Sequence, residues 1–201
     1  IPLHISLFGA IRVATQSGTS IDITNQRARI ILAILSINPG QSISRDLVSK
    51  LLWAGRFKPQ ARASLRQCLH DLKRELQRFD LDILEASNTQ LAVKPDFINT
   101  DLNALETAII ERDDEQATQL LLEFTGKPLL ADIDLGGDLK EWLASQRGQV
   151  ENRLRVSTQH LLSTLRANGL NERHDALEEA WQGWSGVSRL RQRSGLAILP
   201  L

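Results

Sequence analysis

Long cationic and amide side chains are concentrated in one stretch of this sequence, Pro59–Phe79. Four of them recur at intervals of three or four residues, at Arg62, Arg66, His70 and Lys73. An α-helix turns by about 100° per residue, so this spacing places all four side chains on one side of a helix. Guanidinium, ammonium and imidazole groups arranged in this way can bind phosphates and the edges of bases in a DNA groove.

Eight further residues are candidates for contact with the same nucleic acid. They lie elsewhere on this helix, on the helix before it, or at the tip of a predicted hairpin: Ser64, Gln67, Arg74, Arg78, Arg45, Lys50, Asn88 and Thr89. Arg74 and Arg78 are assigned to phosphates, whereas Ser64 either donates to a phosphate or is only a small residue on the helix. The alternative for the whole set is a solvated helix face that contacts another protein.

Apolar residues predict the helix that must position these groups. They fall at helical spacing and form one stripe: Ala61, Leu65, Cys68, Leu69, Leu72, Leu76 and Phe79. Pro59 is well placed in the first turn, where its missing N–H does no harm. Cys68 is the only cysteine, so we expect a small buried hydrophobe and no internal disulfide. The sequence therefore predicts a helix that packs one face on a core and exposes a cationic face.

The formal net charge of zero conceals an asymmetry between the two halves of the 201-residue chain. Residues 1–95 contain 13 Lys and Arg against 7 Asp and Glu, whereas residues 96–201 contain 11 against 17. A basic first half joined to an acidic second half is typical of a chain in which only the first half meets a polyanion.

The order of elements around the cationic helix predicts a winged helix-turn-helix domain in residues 1–95. Short alternating runs with apolar residues at 3–7, 11–13 and 21–23 read as strands. A helix over Gln26–Ile37 is followed by a second helix capped by Ser44. Two extended runs, Leu81–Glu85 and Gln90–Val93, then form a hairpin beside the third helix. In such a domain the third helix reads a groove and the hairpin touches the backbone.

After Asp96 the pattern is helical throughout, which predicts an α+β domain followed by an all-α domain in residues 96–169. Thr100 can cap one helix, and Asp113-Asp114 separates it from a second. A long helical stretch then runs from Asp138 to Asn168-Gly169. Helix pairs of this length resemble tetratricopeptide-type repeats. Residues 170–201 are expected to be a helical extension or a truncated repeat, whose apolar end Leu196–Leu201 packs somewhere.

Several short motifs, in this order, resemble the antibiotic-regulatory-protein (SARP) family of bacterial transcriptional activators over residues 3–168. In the first half they are Ile5-Ser6-Leu7-Phe8-Gly9, Asn38-Pro39-Gly40, Leu51-Leu52-Trp53 and Ala61-Arg62-Ala63-Ser64-Leu65-Arg66. The second half, with Asp101, Gly126-Lys127-Pro128-Leu129-Leu130 and Glu141-Trp142-Leu143, is similar to the bacterial transcriptional activator domain. The resemblance implies an OmpR-type winged helix, binding to promoter repeats in double-stranded DNA, and contact with RNA polymerase. The chain departs from the family pattern after Gly169.

Catalytic and metal-binding patterns are missing from the sequence. The histidines His4, His70, His160 and His174 are far apart, and none has a partner at the spacing that metal ligands need. We therefore expect no enzyme, no cofactor and no metal. The longest apolar run, Ile30–Leu35, is too short to cross a bilayer, so a cytoplasmic location without membrane contact follows by default. Because the chain starts at Ile1 and has no methionine, we expect a trimmed or processed product.

Two functions of different kinds follow from these observations. The first is a sequence-specific DNA-binding transcriptional activator, whose helical second half mediates homodimer, effector or RNA polymerase contacts. The second is a protein-interaction or regulatory module of a larger signalling protein, in which the winged helix no longer binds DNA. The two differ in whether Arg66→Ala weakens DNA binding or only a protein contact.

Overall fold

The computed structural model of the chain describes residues 3–133 and 136–194. These residues form two compact units. The first contains the described residues up to Asp101 together with Leu130–Ser145, and the second contains Leu102–Leu129 and the described residues from Gln146 onward. The predicted division at residues 95 and 169 stays a prediction. The expected packing of Leu196–Leu201 concerns residues outside those described.

Six strands and seven helices are found in the described residues. The strands are β1 (Leu3–Ser6), β2 (Arg12–Thr15), β3 (Ile43–Ser44), β4 (Leu84–Ala86), β5 (Gln90–Val93) and β6 (Ile98–Thr100). The helices are α1 (Gln26–Ser36), α2 (Arg45–Leu52), α3 (Lys58–Gln77), α4 (Asp101–Ile110), α5 (Asp114–Phe124), α6 (Gly137–Ala167) and α7 (Asn171–Ser194). The predicted mixture of strands and helices in the first half is confirmed.

The first sheet has the order β2-β1-β6, and it shows two errors in the sequence prediction. β6 runs parallel to β1 with Leu3 opposite Ile98, although we expected only helix after Asp96. Three residues are too few to show the alternation that marks a strand. The segment around Ile21 and Ile23 was expected to be a strand, but both side chains are buried outside any strand. Apolar alternation there reflects burial of a connecting segment.

Three helices and a second sheet make up the rest of the first unit. This sheet has the order β3-β5-β4, so the β4–β5 hairpin is anchored by β3, which pairs Ile43 with Leu91. α1 lies at the centre with nearly every side chain from Ala28 to Ser36 buried, which explains its almost uninterrupted apolar sequence. The predicted cap at Ser44 is confirmed, because its Oγ accepts the Leu47 N–H at 3.0 Å. α2, α3 and the hairpin are thereby fixed to one core.

A buried carboxylate ties the start of α4 to the end of β1. Asp101 accepts the backbone N–H groups of Leu7 at 2.8 Å and Phe8 at 3.0 Å. A short segment passes the same end of β1, where the N–H of Leu130 donates to the carbonyl of Leu7. Backbone groups at this end of the strand are therefore paired inside the first unit, as buried polar groups require.

The second unit consists of helices, as expected. Asp113 caps α5 by accepting the Gln116 N–H at 3.0 Å, which confirms the predicted break between α4 and α5. α5 packs against α7, and Arg173 pairs with the buried Asp114 through two nitrogen–oxygen contacts of 2.6 and 2.7 Å. These two packed helices differ in length, with 11 residues in α5 and 24 in α7, whereas a repeat pairs helices of similar length. The tetratricopeptide-like repeat therefore stays a prediction. In the described part of the chain no helix combines the length and apolar character needed to cross a membrane.

Candidate nucleic-acid interface

α3 forms where the sequence predicted the cationic helix, and its apolar stripe is buried. The predicted core residues Ala61, Leu65, Cys68, Leu69, Leu72 and Leu76 are all at most 9% exposed, whereas Phe79 lies beyond the helix and is 39% exposed. Burial raises the pKa of the Cys68 thiol to about 11, so this group is a neutral hydrophobe at physiological pH. One face of α3 therefore serves the core.

The opposite face of α3 is exposed along its length. From the helical rotation, Arg62, Arg66, His70 and Lys73 fall within an arc of about 80°, and all four are exposed. Arg74, Gln67 and Arg78 continue the exposed surface and are directed further around the helix. The structure thus brings seven of the predicted residues onto one continuous surface, which we call the α3 face.

Three members of the α3 face have side chains that make no hydrogen bond or ion pair with any residue in the described ranges. They are Arg66, His70 and Arg78, and each is exposed. The guanidinium groups of Arg66 and Arg78, which have no acidic partner there, are available for an external anion, and the His70 ring is available for a hydrogen bond. These three side chains are the strongest part of the candidate interface.

Arg62 is held by a carboxylate that the sequence reasoning did not consider. Asp46 accepts the Arg62 Nε–H at 3.0 Å and an Nη2–H at 3.1 Å, and the Lys58 Nζ lies 2.9 Å from the same carboxylate. The hydrogen bond from Lys58, followed by that from Arg62, lowers the pKa of Asp46 below its usual range. The planar guanidinium is oriented by this two-point contact. Asp46 is 16 residues from Arg62, and no local pattern links the two.

Acidic residues also contact the far end of the α3 face. Asp71 accepts from the Gln67 amide at 3.0 Å and lies 3.5 Å from an Arg74 nitrogen. Asp82 lies 3.5 Å from the Lys73 Nζ and 3.1 Å from the Lys94 Nζ. These lysines, Lys94 first, lower the pKa of Asp82 below its usual range. Such exposed pairs are weak and can exchange for contacts to phosphate.

The remaining candidates lie at the edges of the α3 face. The Ser64 hydroxyl accepts from Arg56 at 3.1 Å, and Lys50 pairs with Asp138 at 3.2 Å. Arg45 donates to the carbonyl of Ser87 at 2.8 Å, so its guanidinium holds the hairpin turn. Asn88 and Thr89 are exposed in that turn. Arg56 and Lys58 lie in the same region and were not among the predicted residues, because they precede the helical repeat that identified the others.

Histidines are not clustered with one another, but His174 does lie beside two acidic side chains. Its Nδ1 is 2.9 Å from Asp175 and 3.9 Å from Glu178. His174 and Glu178 are one helical turn apart, a spacing that the sequence analysis did not include among the possible partners of the histidines. Hydrogen bonds within a single exposed helix turn account for this arrangement.

A comparison with solved structures identifies a protein of similar fold. The chain resembles Mycobacterium tuberculosis EmbR, solved in complex with a low-affinity phosphopeptide, with a TM-score of 0.57 and 20% sequence identity. The match covers 93% of this chain but only 55% of the EmbR chain. No protein-family profile and no curated protein sequence matches the chain. The mixed α/β fold therefore fits a winged helix followed by a helical region. This likeness concerns the fold alone.

Proposed function

We propose that the chain is a DNA-binding transcriptional regulator in which α3 enters the major groove. The proposal rests mainly on Arg66 and His70 of α3 and Arg78 directly after it, whose exposed side chains have no hydrogen-bond or ion-pair partner in the described residues. Arg62 and Lys73 join Arg66 and His70 in the row that reads bases, while Arg74, Arg78 and Ser64 serve phosphates. The β4–β5 hairpin, with Asn88 and Thr89 at its tip, contacts the backbone beside the groove, as do Arg45 and Lys50.

Three independent observations support this function. The surplus of positive charge lies in the half of the sequence that contains α3. The element order and the fold shared with EmbR fit a winged helix. One of the motifs that resemble the SARP family, Ala61–Arg66, lies on α3 itself. The family resemblance further favours an activator that binds promoter repeats, with the second unit contacting RNA polymerase, an effector or a second copy.

Duplex binding by the full chain at two salt concentrations tests the proposal. Fluorescence anisotropy of a labelled random-sequence duplex should report binding that weakens steeply as salt rises, because each cation that contacts a phosphate releases counterions. The double variant Arg62→Ala/Arg66→Ala should lose at least about tenfold in affinity and show a shallower salt slope.

A matched double variant controls for net charge. Lys127→Ala/Arg166→Ala removes two exposed cations from the second unit and should leave duplex affinity within about twofold. Equal losses of duplex affinity in the two double variants would mean that binding depends on net charge alone. The α3 face would then be excluded as the surface that contacts bases. Absence of salt-sensitive binding would favour the protein-interaction module instead.

A further inference from the structure

A cavity of about 510 Å³ lies where the end of α2 turns into α3, inside the first unit. Trp53 and Gly55 line it from the turn, Ser49 and Lys50 from α2, and Lys58 from the first turn of α3. Its volume is in the range of small-molecule sites. The cavity is adjacent to the α3 face, and of its lining residues only Lys50 is among the proposed DNA contacts.

A buried hydroxyl in the wall of this cavity has no hydrogen-bond partner among the described residues. Ser49 is only 5% exposed, and its Oγ is buried and unpaired. Nearly all buried polar groups in proteins are satisfied, so an orphan group next to a cavity indicates an absent partner. The hydroxyl can donate, and an oxygen acceptor in the cavity would satisfy it.

The start of α3 adds backbone donors to the same wall. Its N-cap residue, Phe57, has no polar side chain, and the helix begins without a side-chain cap. Pro59 supplies no N–H, so the Lys58 amide is the first N–H group of an uncapped 20-residue helix. The positive end of a helix dipole favours an anion at this position.

The charged groups around the cavity favour an anion over a cation. Three cations, Lys50, Arg56 and Lys58, line it against two carboxylates, Asp46 and Asp138. The lysines pair with these carboxylates, whereas the Arg56 guanidinium donates to the neutral hydroxyl of Ser64. One guanidinium charge is therefore left uncompensated beside the orphan hydroxyl and the open helix start.

We propose that this cavity is a phosphate-binding subsite, in which phosphate oxygens accept hydrogen bonds from Ser49, from Arg56 and from the Lys58 amide. Guanidinium and helix-start donors together are well suited to phosphate. The phosphate comes either from the backbone of the DNA bound by α3 or from a free phosphorylated small molecule. Only the first source rests on the proposed function.

Amide spectra of the full ¹⁵N-labelled chain test the subsite. Inorganic phosphate should shift the amide resonances of Gly55 and Lys58 in a saturable manner, while sodium chloride at the same ionic strength should not. Ser49→Ala and Arg56→Gln should each weaken the phosphate response at least about fivefold, since each removes a hydrogen bond to a charged group. Lys127→Gln, an exposed cation of the second unit, should bind phosphate as the wild type does.

A second arm adds an unlabelled DNA duplex and distinguishes the two sources. Competition between duplex and phosphate for the same amides assigns the subsite to the DNA backbone, and simultaneous binding assigns it to a free phosphorylated ligand. Equal shifts with chloride, or unchanged phosphate binding in both cavity variants, would overturn the subsite. A chain that binds phosphate but no duplex would overturn the proposed function and leave the subsite standing.

Discussion

α3 and α7 are both long helices with a buried apolar stripe, yet their outer faces differ in charge. α3 exposes Arg62, Arg66, Lys73 and Arg74 beside a single half-buried acid, Asp71. The outer surface of α7 from Asn171 to Gly186 has four acids against one arginine. Because the core contacts of the two helices are of the same kind, the difference in charge does not come from the needs of folding. It is the difference that the proposed function predicts if α3, and not this part of α7, meets a polyanion.

The largest expected effect is a loss of stability when the buried apolar stripe that both helices share is disrupted. Leu72 of α3 and Leu177 of α7 are both fully buried. Leu72→Ala and Leu177→Ala should each lower the free energy of unfolding by about 2–5 kcal/mol, through lost burial and the cavity left behind. Urea unfolding followed by circular dichroism and tryptophan fluorescence measures both.

Replacement of the exposed Leu122 by Ala serves as the control and should change stability by less than about 0.5 kcal/mol. A small cost for only one of the two buried leucines would mean that this helix is not part of a packed core, and the comparison would lose its basis.

The second prediction compares buried carboxylates in the two units. Asp101 accepts two backbone N–H groups in the first unit, so Asp101→Asn should cost about 1.5–3 kcal/mol of stability, because bonds to a charged acceptor are lost. Asp114 in the second unit pairs with a half-exposed arginine, Arg173, whose guanidinium can be hydrated instead. Asp114→Asn should therefore cost about 1 kcal/mol or less. Urea unfolding of the two variants under one set of conditions would show the reverse order if side-chain pairing dominated.

Local sequence pattern was enough to predict the helices but not the network around the α3 face. The cap at Ser44, the helix break at Asp113-Asp114 and the apolar stripe of α3 from Ala61 to Leu76 are local features, and the structure confirms them. β6 was missed because its parallel pairing with β1 joins residues more than 90 positions apart. Asp46 and Asp82 were missed because each contacts a cation of α3 from outside that helix, 16 and 9 positions away along the chain. The sequence alone therefore could not predict whether the ion pairs of Asp46 and Asp82 compete with DNA for the cations of α3.

The third prediction separates the position of a charge from its amount. Arg66→Glu places an acid at the centre of the α3 face and should weaken duplex binding by more than about tenfold, because a contact worth about 1–3 kcal/mol is lost and a repulsion is gained. Lys127→Glu changes the net charge equally in the second unit and should alter affinity by no more than about twofold. Anisotropy titrations of both variants at one salt concentration make the measurement. Equal losses would show that charge alone, without the geometry of α3, drives binding.

The smallest expected effect concerns Asp46, an acid of α2 that contacts the α3 face. Asp46 holds Arg62 and Lys58, and their hydrogen bonds lower the pKa of this carboxyl. Because the folded-state pKa is depressed, these contacts contribute above the unfolded-state pKa and are lost as the pH falls through the folded-state value. Lys58→Ala should raise the pKa of Asp46 more than Arg62→Ala does, since the Lys58 bond is the larger cause. A ¹³C NMR titration of the side-chain carboxyls measures these shifts, with Asp82 as the unaffected reference.

The same acid also tunes the proposed function. Asp46→Asn removes a negative charge from the surface that we propose to face phosphates, and it releases Arg62 from its two-point contact. Duplex affinity should then rise by about twofold to fivefold, with no change in the urea midpoint, because an exposed pair adds little to stability. If affinity instead falls, Asp46 orients the guanidinium of Arg62 for contact with a base. The carboxylate would then be part of the DNA-reading surface around α3, a role for which the acids of α7 have no counterpart.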